Sequence, residues 1–232
     1  MKLLTKAIRT GWLFCWNSKM TVLIFANGEI EELEWIRPFL ANATAVIAAD
    51  GGTHHLMRLD HLPDLVIGDM DSLSVAAREW LEKGDVPLQT YPTAKDETDL
   101  ELALLVAMQE FEESILLFGV LGGRLDQTLA NILLLTHPAL RGRHVQLLTQ
   151  RERAWLVNGR SQITGHVGDT ISFIPLGGDV KVKNSSGLRW PLQNEILSFG
   201  LARGVSNVLV ERQAMIEIED GFLLCVHMKD EG

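Results

Sequence analysis

The chain has 232 residues, 47% of them hydrophobic and 22% charged, with a formal net charge of −9. That length holds one large domain or two small ones with ample material for a core, and the acidic balance argues against broad, nonspecific binding to nucleic acid. No run is long and apolar enough to span a membrane, and Cys15 and Cys225 form neither a metal-spacing pattern nor a disulfide framework, so they read as reduced thiols of a cytoplasmic protein.

Residues 1–20 carry Lys2, Lys6, Arg9 and Lys19 and no acidic residue. The apolar run Gly11-Trp12-Leu13-Phe14-Cys15-Trp16 is short, and no small-residue cleavage site follows it. The segment reads as a dispensable extension with Met20 as an alternative start; a surface-docked helix is the second reading. From Thr21 to about Gln150, strand-like and helix-like pieces alternate. Thr21–Ala26, Ala45–Ala49, Asp64–Ile67, Ser114–Phe118 and His144–Leu148 are short apolar runs suited to buried parallel strands. Ser74–Lys83 is helical and ends on Gly84. Thr98 and Glu101 form a capping box that opens a helix through about Phe111. Leu125–Thr136 is another helix, stopped before Pro138.

After Gln150 the rhythm changes to short strands at 153–157, 161–164, 170–175, 180–183, 205–210, 214–219 and 221–227, separated by Asn, Asp and Gly turns. The expected fold is an α/β N-terminal domain over 21–150 with a mostly parallel sheet, followed by an all-β C-terminal sandwich over 151–232.

Four acidic, glycine-bearing segments punctuate the first half: Ala49–Gly52, Gly68–Ser72, Lys95–Asp99 and Gly122–Asp126. Each falls where a strand should end or a helix begin, which in an open α/β sheet is the ligand crevice. Gathered carboxylates repel one another unless a cation sits among them, and oxygen ligands suit Mg²⁺. Taken singly, each segment admits two readings. Asp69 and Asp71, two apart, place both carboxylates on one cation if extended, or form a turn followed by an N-cap. Asp99 either ligates or complements a helix dipole. Lys95 loses dipole energy at a helix entrance unless that end receives a polyphosphate. Gly122-Gly123-Arg124 is a phosphate clamp or a plain glycine turn. Trp190 reads as a core tryptophan or an aromatic wall. No Walker A or GxGxxG fingerprint is present.

As a set, ADGG at 49–52, GDMDS at 68–72, KDETDLELAL at 95–104 and GGRLDQTLANI at 122–132 resemble the thiamine pyrophosphokinase family, together with GLRWPL at 187–192 and SN at 206–207. The resemblance runs from about Thr21 to about His227. It implies Mg²⁺-dependent transfer of diphosphate from ATP to the hydroxyl of thiamine, with release of AMP, by a homodimer that binds thiamine near its interface. Asp69, Asp71, Asp96, Asp99 and Asp126 are then the metal-binding acids. Asn27, Asp50, Gly51, Gly52, Thr98, Gly122, Gly123 and Arg124 take the nucleotide and its phosphates. Lys95 and Arg124 neutralise charge, Asp71 or Asp99 is the base, and Trp190, Ser206 and Asn207 face thiamine. Two departures stand out: Gln127 occupies a position where the family often has His, and His54-His55 replace an Asn or another polar residue. A nucleotide-sugar glycosyltransferase using Asp69 and Asp71, and a non-catalytic thiamine-binding regulatory protein, are the alternatives.

Overall fold

A computed structural model describes residues 21–230; the readings made for residues 1–20 lie outside the described residues. The chain divides into two compact units between Gln150 and Arg151. Among the described residues no helix is long and apolar enough to cross a membrane.

Among the described residues the first unit is built on six strands: β1 (Thr21–Phe25), β2 (Ala43–Ala49), β3 (Leu65–Gly68), β4 (Leu88–Thr90), β5 (Ser114–Phe118) and β6 (Val145–Leu148). All pairings are parallel, in the order β4-β3-β2-β1-β5-β6. Every residue of β1 is buried, as expected for a parallel strand covered on both faces. Phe25 stacks on Phe118 at 5.0 Å between ring centroids, and Trp35 and Phe39 pack against Phe118. The chain adds strands on one side of β1 as far as β4, then returns to place β5 and β6 on the other. That reversal puts a crevice outside the C-terminal ends of β1 and β5.

Among the described residues, five α-helices lie between the strands: α1 (Arg37–Leu40), α2 (Thr53–Arg58), α3 (Val75–Lys83), α4 (Asp99–Glu110) and α5 (Leu125–Leu134). The hydroxyl of Ser74 accepts from Ala77 N–H at 3.2 Å to start α3, and Gly84 ends it. Thr98 accepts from Glu101 N–H at 3.2 Å to start α4. The Glu101 carboxylate faces His137 Nε2 at 3.7 Å instead of completing the capping box. Strand β4 and the short helices α1 and α2 were not anticipated from the sequence. They are too brief for periodicity to register, and α2 follows directly on a 3₁₀ turn over Asp50–Gly52.

The second unit is entirely antiparallel: β7 (Glu152–Val157), β8 (Arg160–Thr164), β9 (Thr170–Ser186), β10 (Gln193–Leu197), β11 (Asn207–Val208) and β12 (Gln213–Met228). Sequence patterning divides β9 at Gly177-Gly178 and β12 at Asp220-Gly221, yet each is one long strand. The ladder between them absorbs the glycines through register shifts around Glu217, Asp220 and Phe222, so those turn signals act as bulges. One half of β12 lies between β7 and β9, the other between β8 and β9. Inward residues of both halves, among them Phe173, Val182, Ile216 and Leu223, share one core, and the unit closes around it as a sandwich. The strand expected at 205–210 shrinks to β11, because Ser206 turns the chain with φ +61°. The edge strand β10 carries too little apolar alternation to be read from sequence.

A buried polar chain pins the sandwich. His227, 1% exposed, donates from Nε2 to Asp169 Oδ2 at 2.7 Å and accepts from Arg153 Nε at 3.1 Å. Burial, and secondarily the Arg153 charge, push His227 down to about 4 against the pull of Asp169. Burial raises Asp169, but hydrogen bonds from the His166 and Asp230 N–H groups and from His227 hold it below its ordinary value. Between the ordinary histidine value near 6.5 and about 4, the unfolded chain takes up a proton that the folded chain refuses, so stability present at neutral pH is lost on acidification. The depressed Asp169 adds in the same direction at lower pH. Urea midpoints should therefore fall steeply from pH 6.5 to 4, with a shallower slope in His227→Gln; equal slopes in the two proteins would refute this account.

Candidate active site

A cleft of about 270 Å³ opens in the first unit at the C-terminal ends of its strands. Asn27 and Gly28 after β1 and Gly119 and Val120 after β5 form one side, and Asp50 and the start of α4 form another. Gly28 N–H donates to Gly119 O at 2.6 Å and Glu29 N–H to Leu121 O at 3.1 Å. A side chain at Gly28 would strike Gly119 O and Leu121 O, so this residue must be glycine for the two strand ends to meet. Gly51 and Gly52 are buried rather than cleft-lining. Gly51 lies beneath the Asn27 side chain and Gly52 against Phe25 O, where neither has room for a side chain.

The carboxylates of Asp50, Asp69 and Asp99 converge, their nearest oxygens all within 4.8 Å of one another. They arrive from three places: the turn after β2, the end of β3, and the first turn of α4. A Cβ at Gly68 would lie 2.9 Å from Asp50 Cβ and 3.0 Å from Asp99 Oδ1, so the glycine makes the convergence possible. Asp50 is 4% exposed, and its Oδ1 has no hydrogen-bond partner. Burial pushes its carboxyl above the usual range; a Ser72 hydrogen bond opposes this, and the charges of Asp99, Asp69 and Asp71 add to it. Lys95 Nζ is 2.9 Å from Asp99 Oδ1 and 3.9 Å from Asp69 Oδ2. Burial lowers the Lys95 ammonium, but the hydrogen bond to Asp99 and the charges of Asp99, Asp69 and Asp50 together hold it above its ordinary value.

Asp71 does not join this cluster. Between the two acids, Met70 is buried with φ +65°, so the segment is not extended, and Asp71 N–H turns back to Asp69 Oδ1 at 3.1 Å. That hydrogen bond holds Asp69 below the usual carboxylate range against burial, with help from Lys95. Asp71 stays exposed beside the acids, its Oδ1 accepting from the Ser72 hydroxyl at 3.1 Å. Asp96 is exposed. Arg124 and Asp126 pair with each other through two hydrogen bonds, of 3.1 and 2.5 Å, on the exposed start of α5. Thr98 and Gly122 line the cleft; Gly123 is exposed next to Gly122. Ser72, Glu97, Gln127 and Asn131, all within the motifs at 68–72, 95–104 and 122–132, also line it, as does Thr93, to which the sequence gives no pointer of its own. The spacing of Gln127 and Asn131 on one face of a helix was the available signal.

In the second unit, a separate pocket of about 310 Å³ is bordered by Trp190, Leu192, Arg203, Val205, Ser206 and Asn207. Asn207 is buried, and both ends of its amide are taken. Its Oδ1 accepts from Trp190 N–H at 3.1 Å and Val208 N–H at 2.9 Å, and Nδ2 donates to Trp190 O at 2.7 Å. The side chain therefore clamps the backbone of Trp190, a residue 53% exposed whose ring lies 5.6 Å from the Arg189 guanidinium. Ser206 is exposed, its N–H donating to Ser172 Oγ at 3.0 Å, and Arg203 pairs with Glu195 at 3.0 Å.

Two family models match the chain: thiamin pyrophosphokinase, catalytic domain, over residues 36–147, and thiamin pyrophosphokinase, vitamin B1 binding domain, over residues 160–223. A thiamine pyrophosphokinase of Bacillus subtilis is 29% identical over 212 residues, covering 90% of this chain and 99% of the relative. A crystal structure of the Bacillus subtilis protein superposes with a TM-score of 0.81 at 27% identity, over 90% of this chain and 99% of the other. The Geobacillus thermodenitrificans thiamin pyrophosphokinase does so with a TM-score of 0.81 at 25% identity, over 92% and 99%.

The repulsion inside the acidic cluster is measurable without any substrate. Asp50 adopts φ +41°, a conformation asparagine tolerates well, so Asp50→Asn removes a buried charge without new strain. The variant should melt on the order of 2–4 °C higher than wild type in EDTA. An unchanged or lower melting temperature in EDTA would contradict this.

Proposed function

The chain belongs to the thiamin pyrophosphokinase family, and from that premise we propose that it transfers the diphosphate of ATP to the hydroxyl of thiamine, giving thiamine diphosphate and AMP. The observation that carries this reading is the convergence of Asp50, Asp69 and Asp99 around Lys95 at the crevice of the parallel sheet. We assign the diphosphate chemistry to residues 21–150 and thiamine recognition to residues 151–232.

Three carboxylates, with the buried Asp50 Oδ1 unpartnered, fit a hard divalent cation. Asp50, Asp69 and Asp99 would hold Mg²⁺, which when bound neutralises charge on the phosphate oxygens. Lys95 supplies fixed positive charge beside the acids. The first turn of α4, at Thr98, offers its N–H groups to the polyphosphate. In the transfer, the thiamine hydroxyl oxygen bonds to the β-phosphorus of ATP. The bond from that phosphorus to the α,β-bridging oxygen breaks, AMP departs with that oxygen, and the hydroxyl proton passes to a carboxylate. We assign the proton to Asp71, because Asp99 is engaged by Lys95 at 2.9 Å, whereas Asp71 is exposed beside the cluster. In the second unit, an indole face suits a cationic heteroaromatic acceptor, and the Asn207 clamp holds that face in place.

We also assign a homodimer, the state implied by the family resemblance. On α5, Leu125, Leu129 and Leu133 recur at four-residue spacing and are 73%, 53% and 53% exposed, an apolar stripe for a second copy of the chain to cover. Light scattering should give twice the chain mass; a monomer at micromolar concentration would exclude this assembly.

Purified protein with Mg-ATP should release AMP only when thiamine is added, with thiamine diphosphate formed in equal amount. Asp71→Asn should lower kcat by about 10²–10⁴ with little change in either KM. ADP as the product would mean single phosphoryl transfer, and an active Asp71→Asn would move the proton to another group.

A further inference from the structure

The cleft's glycine-bearing side is held from behind by a side chain that does not line it. His55 is the third residue of α2 and only 8% exposed. Its Nε2 lies 2.8 Å from the carbonyl oxygen of Gly28, so Nε2 carries the proton and donates. Its Nδ1 is buried with no partner. Burial holds the imidazole below its usual range, opposed by the Gly28 hydrogen bond, which leaves one N–H to give, and it goes to Gly28. Gly28 is held through the peptides on both of its sides: its N–H donates to Gly119 O at 2.6 Å, and its C=O accepts from His55 Nε2 at 2.8 Å. Gly119 adopts φ +63°, and a Cβ there would lie 3.3 Å from His55 Nε2, so the ring also backs onto the β5 loop.

An apolar residue in this place would avoid stranding Nδ1, because a buried polar atom left without a partner is destabilising. The imidazole instead meets the end of β1 at the crevice, where the ends of β1 and β5 must be held in register. We propose that His55 is a positioning residue for the nucleotide, fixing the Asn27–Gly28 peptides against the β5 loop so that the cleft is preformed for a nucleoside triphosphate. His55 touches no substrate. The inference rests on the assignment of ATP to this cleft.

Two measurements on the full chain separate that assignment from the clamp. Amide exchange needs no ligand: in His55→Leu the Gly28 and Glu29 amides should lose about tenfold in protection, while the β1 core amides keep theirs. In His55→Gln, whose amide nitrogen reaches the same carbonyl, protection should return. In steady-state kinetics, His55→Leu should raise KM for Mg-ATP about tenfold, with KM for thiamine within about twofold of wild type, and His55→Gln should recover most of the loss. If His55→Leu does not fold, His55→Asn, whose shorter side chain stops short of Gly28, takes its place. Unchanged exchange at Gly28 and Glu29 overturns the clamp, whatever the cleft binds. Both KM values rising together without rescue by Gln, or KM for Mg-ATP staying put, overturns the positioning role. Failure of the wild type to release AMP from Mg-ATP would instead count against the ATP assignment, with the exchange arm still deciding the clamp.

Discussion

Three ionised carboxylates with their oxygens within 4.8 Å of one another would repel by at least about 3.5 kcal/mol per pair at an effective dielectric of about 20. The α/β unit is organised to impose that arrangement. Asp50 follows the buried strand β2, Asp69 follows β3, and Asp99 sits in the first turn of α4, beneath its capping threonine. None can withdraw without disturbing a strand end or a helix start. Gly68 removes the one side chain that would keep Asp50 and Asp99 apart. The repulsion is partly offset from inside by Lys95, which serves as the cluster's own counter-ion.

Fixed charge and fixed backbone meet at the crevice between β1 and β5. Aromatic packing of Phe25 on Phe118 aligns the two strands below it, and backbone hydrogen bonds from Ala26 and Gly28 join their ends above. His54 and His55, adjacent on α2, tie this region to its neighbours. His54 links Gly51 O to the Ser74 cap of α3, at 3.0 and 3.2 Å, and His55 reaches Gly28. Both histidines look like surface polar residues in the sequence, yet each is a cross-link between loops distant along the chain. The sandwich follows the same logic with other groups: Asn207 commits its whole amide to the Trp190 backbone, and His227 bridges Asp169 and Arg153 in the interior.

Several elements were legible because their causes are local. Buried strands show as apolar runs, Ser74 and Gly84 bracket α3, and Thr98 announces α4 through its hydroxyl. Where a partner must come from elsewhere, sequence patterning went astray. The capping box is half made because Glu101 meets His137, 36 residues away. The glycines at 177 and 221 look like strand ends but are bulges in β9 and β12, since the long ladder between those strands compensates the lost pairing. Asp69 and Asp71 suit one cation only if the chain is extended, and the buried Met70 prevents that.

From the sequence alone follow the alternation of strands and helices, the change to an all-β half, the acidic segments and the family they resemble, because each is encoded in contiguous residues. Which acids share a site was decided only by the tertiary structure. Asp50, Asp69 and Asp99 meet because β1, β2 and β3 are neighbours in a parallel sheet and α4 packs above them. Asp126 is held outside by its pairing with Arg124, and Asp71 by the turn at Met70. The role of His55 was invisible for the same reason. A hydrogen bond to a carbonyl 27 residues away leaves no trace in local pattern, because its strength depends on distance in space and not on spacing along the chain.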